Sequence, residues 1–220
     1  MDRRAVILDV DGTLVDSNDA HADAWMDAFS EFGITVAYDA VRRSIGMGGD
    51  KLMPEVSGID EGSRLGQQIA ARRADIFTSR YLPGIVAFPR VRDLVSRFRD
   101  DGFVLAVASS AKQEELEPLL EAAGVSDLIP TRTSSDDADR SKPDPDIVVA
   151  AMKRTNAGRG RAVMIGDTPY DVAAAKRAGI EIVGVECGGW TREALAGALD
   201  VYRHPADLLE RYETSVFGRP

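Results

Sequence analysis

Short apolar runs separated by helical periodicity constrain this chain more than any other feature. Ala5-Val6-Ile7-Leu8, Val104-Leu105-Ala106-Val107-Ala108, Leu128-Ile129, Ala162-Val163-Met164-Ile165 and Ile182-Val183-Gly184-Val185 show no alternation of apolar and polar residues. A strand without alternation has to be covered on both faces, as in a parallel sheet between two layers of helices. Helical patterns over 90–99, 112–123, 146–154, 170–178 and 193–199 supply those layers. Gly102, Gly124 and Gly179 stand where left-handed helix ends are expected. The alternation predicts a doubly wound, Rossmann-like α/β fold with a mostly parallel sheet.

One stretch interrupts it. From about 17 to 82 the pattern is helical, and Ala24, Trp25, Ala28, Phe29 and Phe32 form an apolar stripe at helical spacing, closed by Gly33. The stripe reads as packing rather than ligand contact. Pro83-Gly84 marks the return to β-α alternation. The expected organisation is an α/β core of residues 1–15 and 83–220 carrying a small all-helical insertion, 16–82, with hinges near 15–17 and 82–84.

At 220 residues, 44% hydrophobic and 29% charged, the chain is long enough for one main core and a smaller unit. No apolar run approaches the roughly 20 residues of a membrane span. Met1-Asp2-Arg3-Arg4 does not resemble an export signal, so the expectation is a cytoplasmic protein with no membrane partner. A net charge of −9 argues against nucleic acid, whose phosphates attract basic surfaces. It is compatible with small phosphorylated ligands, because a bound metal and a few local cations can invert the field of one pocket. The single cysteine, Cys187, excludes an intrachain disulfide and any multi-cysteine metal site.

Four clusters each fall just past the carboxyl end of an expected strand, the edge where open α/β sheets place ligands. In Asp9-Val10-Asp11-Gly12-Thr13-Leu14 the two acids lie two residues apart and project to one side. Such neighbours repel unless a cation joins them. Val107-Ala108-Ser109-Ser110-Ala111-Lys112 offers hydroxyls and free N–H groups at a strand-to-helix turn, suited to phosphate oxygens, although serine is also an ordinary helix cap. Ser141-Lys142-Pro143-Asp144-Pro145-Asp146 holds a lysine in a turn stiffened by proline. Ile165-Gly166-Asp167-Thr168-Pro169-Tyr170-Asp171 adds two acids, one in the first turn of a helix, where an acid can simply complement the dipole. Together the acids suggest an all-oxygen site for Mg²⁺.

In order and separation, these four clusters resemble the motifs of the haloacid dehalogenase superfamily of hydrolases. The insertion resembles the helical cap of its phosphoglycolate-phosphatase and β-phosphoglucomutase type. The resemblance implies Asp9 as nucleophile, forming an aspartyl-phosphate, and Asp11 as the acid and base, with its carbonyl on the metal. It implies Ser109, with Ser110 beside it, and Lys142 as phosphate-binding residues, Asp167 as an acidic metal ligand and Asp171 as an auxiliary one. Mg²⁺ would be the cofactor and a small phosphorylated metabolite the substrate, with a monomer as the default state.

Asp11 separates the chain from dehalogenase-like and phosphonate-cleaving members, which lack an acid at that position. A sugar phosphomutase is the alternative. Thr13 matches the phosphatase form of the first motif, where the mutase tends to have valine. The mutase's distal-phosphate arginine falls in Ile45-Gly46-Met47-Gly48-Gly49-Asp50-Lys51, where Lys51 could substitute. An inactive binding protein on the same scaffold would not need the complete set of acids present here. Lys51 and Arg43 are the candidate substrate contacts of the insertion. The glycines at 46, 48 and 49 suggest a mobile loop, a close approach to ligand or an ordinary turn. His21 is expected to be exposed or beside the hinge, and His204 to have no catalytic role.

Overall fold

A computed structural model describes residues 4–218, so most of the Met1-Asp2-Arg3-Arg4 start lies outside the described residues. Strand β1, Ala5–Leu8, is followed by helices α1 (Asn18–Glu31), α2 (Tyr38–Ser44), α3 (Gly49–Ser57) and α4 (Arg64–Ile76). Wider and tighter turns at Phe77–Tyr81 and Leu82–Gly84 lead into α5 (Val91–Asp100), β2 (Val104–Val107) and α6 (Gln113–Ala122). Then come α7 (Asp146–Thr155), β3 (Ala162–Gly166), α8 (Pro169–Ala178), β4 (Glu181–Val185), β5 (Asp200–Tyr202) and α9 (Pro205–Glu210).

The five strands form one parallel sheet in the order β2-β1-β3-β4-β5. In register, Ala5 lies beside Val104 and Ala162, and Leu8 beside Val107 and Ile165. Alternate residues of β1 feed two separate cores. Val6 and Leu8 pack with Leu94, Val95 and Phe98 of α5, Leu116 and Leu120 of α6, and Leu208 of α9. Ala5 and Ile7 pack with Val148 and Ala151 of α7 and Ala174 and Ala175 of α8. Each fully buried leucine, isoleucine or phenylalanine contributes about 1.5–3 kcal/mol. Both faces therefore need apolar side chains, and this is the origin of the unalternated runs.

The first core continues into the insertion, where α1 lies against α4 and Ala24, Trp25, Ala28 and Phe29 are buried. Phe32, one turn further and past the end of α1, is 37% exposed, so the stripe ends before it. Gly102, Gly124 and Gly179 are left-handed after α5, α6 and α8.

Two expectations need correction, and one strand was not foreseen. Leu128 and Ile129 form no strand; they are buried, and only an isolated bridge from Thr131 to Ala106 touches the sheet edge. Two residues cannot sustain a ladder. The 193–199 stretch is a series of turns rather than a helix, with Gly197 at φ 112°, a conformation that no helix interior accepts. Edge strand β5 gave no sequence signal, because only Val201 and Tyr202 of its three residues are buried. No helix is long and apolar enough to cross a membrane.

Candidate active site

Strand order reverses at β1, with β2 on one side and β3 on the other. Loops leaving the two strands at this point diverge and open a crevice. Asp9 extends the ladder by one rung, its N–H donating to Ile165 O at 2.9 Å. The chain then folds back tightly, with Leu14 N–H donating to Val10 O at 2.8 Å. Gly12 makes this possible. Its φ of 70° is left-handed, and a Cβ there would lie 2.3 Å from Asp167 Oδ2. As expected from their spacing, Asp9 and Asp11 line one cavity.

Lys142 Nζ lies 2.6 Å from Asp9 Oδ1 and 2.8 Å from Asp171 Oδ1, with all three side chains buried. Asp167 stands on the other side of Asp9. Its Oδ1 accepts from Thr13 Oγ1 at 3.0 Å and its Oδ2 from Asn18 Nδ2 at 2.9 Å. Asp9, Asp167 and Asp171 each present a carboxylate oxygen within 4.8 Å of the others. One ammonium thus serves three buried carboxylates. Burial, with Asp171 next, holds Asp9 well above the usual carboxylate range despite Lys142. The same two causes push Asp167 up to about 7. Lys142 is raised by Asp171 and Asp9, which outweigh its own burial. A site this short of positive charge, with only hard oxygen donors, fits a divalent cation such as Mg²⁺.

Asp171 has a second task. Its Oδ2 accepts from Thr168 N at 3.0 Å and Thr168 Oγ1 at 2.6 Å, while its own N–H donates to Thr168 Oγ1. This capping box starts α8 and aims the other carboxylate oxygen at Lys142. Thr168→Ala is expected to destabilise the protein by about 1 kcal/mol. A thermal melt should show a decrease of about 2–4 °C, and an unchanged melt would contradict the capping role.

Asp11 occupies a separate polar cluster. Its Oδ1 accepts from Ser17 Oγ at 2.6 Å and lies 2.8 Å from His21 Nε2. Burial raises the Asp11 pKa, but His21 and the Ser17 hydrogen bond overcome it and hold the carboxyl below its ordinary value. His21 is buried rather than exposed and lies beside the 15–17 stretch, its backbone N–H donating to Ser17 O at 2.9 Å, and its ring stacks on Phe77 with centroids 4.0 Å apart. Asn18 and His21 sit three residues apart on α1, and that spacing was the available signal for a shared polar face. His204, by contrast, caps α9 by accepting from Asp207 N–H at 3.1 Å.

Of the two serines, Ser110 lines the cavity with Asp9 and Asp11, and its hydroxyl donates to Gly46 O at 3.2 Å. Ser109 is fully buried and accepts from Ala111 N–H at 3.0 Å. It lines a second, larger chamber adjoining the first. Lys51 and Arg43 line neither. Lys51 Nζ is 2.8 Å from Asp144, and the Arg43 carbonyl accepts from Tyr170 Oη while its side chain is exposed. The cation inside is Arg73 of α4. It is paired with buried Glu115 of α6 at 2.9 Å and lies 5.2 Å from the Trp25 ring centroid. Trp25 both packs in the core and lines the cavity. Arg73 was missed because nothing local distinguishes it from Arg72, which pairs outward with Glu31.

The insertion is held against the strand ends by further contacts. Arg42 donates to Gly188 O at 2.9 Å, Ser141 Oγ bonds Asp50, and Gly46 at φ 105° comes against Thr168. The 46–49 glycines therefore mark close approach to the core. The cavity between them measures about 50 Å³.

A family model described as haloacid dehalogenase-like hydrolase matches residues 6–185. The phosphoglycolate phosphatase of Rhodospirillum rubrum is 31% identical over 215 residues, covering 93% of this chain and 89% of that protein. The protein named Probable phosphatase IndB of Dickeya dadantii is 31% identical over 198 residues, 88% of this chain and 85% of its own. Among solved structures, a hydrolase from Pseudomonas syringae superposes with a TM-score of 0.88 at 29% identity, covering 96% of this chain and 99% of that one.

Proposed function

The chain belongs to the haloacid dehalogenase-like hydrolases and is a phosphatase of that family, and from this premise we propose that it hydrolyses a small phosphorylated metabolite through Asp9. The observation that carries the proposal is buried Lys142 Nζ clamped between Asp9 and Asp171, with Asp167 in the same carboxylate group and Asp9 lining the cavity between core and insertion.

Asp9 attacks phosphorus in line; its O–P bond forms as the ester P–O bond breaks. Lys142 restrains the Asp9 carboxylate and holds a phosphoryl oxygen, joined in the latter by the Ser109 and Ser110 hydroxyls. Asp11 delivers a proton to the leaving oxygen, then takes one from the water that cleaves the aspartyl-phosphate. Ser17 and His21 fix its carboxylate for both steps, and by keeping it ionised they favour the second. Asp9, Asp167 and the Asp11 carbonyl would hold Mg²⁺, with Asp171 auxiliary because its oxygens already serve Thr168 and Lys142. When bound, the ion supplies charge neutralisation for the phosphoryl oxygens. Residues 16–82 act as a cap on the 1–15 and 83–220 core, excluding water from the reacting phosphate.

Phosphate release from p-nitrophenyl phosphate, dependent on Mg²⁺ and abolished by EDTA, tests the proposal. β-Glucose 1-phosphate distinguishes the mutase, since a phosphatase yields free phosphate and a mutase glucose 6-phosphate. A second expected result needs no turnover. Asp167 binds its proton more tightly folded than unfolded, so without metal its ionisation opposes folding. Metal-free protein should therefore lose stability as the pH rises from the ordinary aspartate value of 3.8 to about 7. The increase in Tm on adding Mg²⁺ should accordingly be larger at pH 8 than at pH 5.5. A Mg²⁺ effect on Tm that is absent, or larger at the lower pH, would remove the cation from this site.

A further inference from the structure

The second chamber measures about 210 Å³, roughly four times the cavity over Asp9, and shares Gly48, Gly49, Arg73 and Ser110 with it. It has room for roughly seven waters at ~30 Å³ each, more than a two-carbon acid displaces. Four serines line it. Its charged groups come from different segments: Glu61 from the turn between α3 and α4, Lys112 from the start of α6, and Asp139 from the loop before Lys142. Among the described residues none of these three side chains makes an ion pair or hydrogen bond; Lys112 and Asp139 are exposed at the rim, and Glu61 is partly buried. Of the remaining charges, Arg73 is paired with Glu115, and Asp50 accepts from the Ser141 hydroxyl and keeps its negative charge.

Two unmatched carboxylates against one unmatched cation make a poor receptor for an anionic leaving group. Unmatched acceptors beside serine hydroxyls suit a group rich in O–H donors. Resting on the phosphatase reading, we propose that this chamber receives the leaving group, that the leaving group is a sugar or sugar-alcohol carrying no carboxylate, and that Glu61 hydrogen-bonds its hydroxyls. The chamber thereby separates this chain in specificity from its phosphoglycolate phosphatase relatives, whose named substrate carries a carboxylate.

The test compares sorbitol 6-phosphate and glucose 6-phosphate with 2-phosphoglycolate, using the full chain with Mg²⁺ and p-nitrophenyl phosphate as a reference ester. The hexose and hexitol esters are expected to exceed 2-phosphoglycolate in kcat/KM by at least about tenfold. Glu61→Ala should raise KM for them about tenfold with kcat retained, the size of one lost hydrogen bond to a charged group. Glu61→Lys should shift the ratio of the two substrate classes toward 2-phosphoglycolate. Preference of the wild-type protein for 2-phosphoglycolate, or an unchanged ratio in Glu61→Lys, overturns the inference and leaves the phosphatase reading standing. Absence of turnover with every ester, p-nitrophenyl phosphate included, overturns both.

Discussion

Asp9→Asn is expected to lower kcat by at least about 10⁴-fold, the scale of losing a nucleophile, in a protein that melts no earlier than the wild type. The two halves of this result come from one geometry. The substituted amide keeps the place of the carboxylate at the end of β1, because the backbone N–H to Ile165 O bond and the surrounding core are untouched. It cannot attack phosphorus, since an amide oxygen has neither the charge nor the basicity of a carboxylate. Removing one of three crowded buried carboxylates also relieves repulsion that Lys142 alone does not cancel. Steady-state turnover and a thermal melt, both at pH 7.5, measure the pair of effects. Retained turnover would transfer the nucleophile to another group.

Lys142→Met is expected to cost about as much activity and, unlike Asp9→Asn, to weaken the fold. The ammonium is 1% exposed and faces carboxylates on two elements, the end of β1 and the first turn of α8. Removing it leaves those charges uncompensated, which typically destabilises by about 3–5 kcal/mol. For a protein of this size that is a fall in Tm of roughly 6–20 °C. Added Mg²⁺ should restore part of the Tm, because it supplies charge to the same carboxylates, and none of the kcat, because it cannot replace the lysine's hold on the phosphoryl group. Recovery of both would reduce Lys142 to a counter-ion. Lys142→Arg should not rescue, since the planar guanidinium needs more room than a buried ammonium between two oxygens.

These effects were largely legible in the sequence because the catalytic edge follows from local rules. A strand covered on both faces has to be apolar throughout, and a polar residue just past its end can only emerge at the sheet's edge. Asp9, after Ala5–Leu8, and Asp167, after Ala162–Gly166, were found that way. Asp171 was found as a first-turn acid, and the structure adds that it caps α8 as well. Less was legible where the pattern was short or broken, as with the three-residue edge strand β5 and the turns around Gly197.

The walls above the catalytic edge were not legible at all. Lys51 and Arg43, chosen for their position near a glycine-rich loop, line neither chamber, whereas Arg73 and Glu115 line the first. His21 turned inward because Asp11 and Phe77 meet it from both sides. Chain order and hydrophobic pattern alone were enough to predict a parallel sheet and the acids at its carboxyl edge, since those depend on neighbours a few residues away. Which insertion side chains reach the cavity, how large the second chamber is and which charges are left unmatched depend on how two groups of helices meet. Contacts across 42 residues, such as Arg73 with Glu115, have no local periodicity to record them.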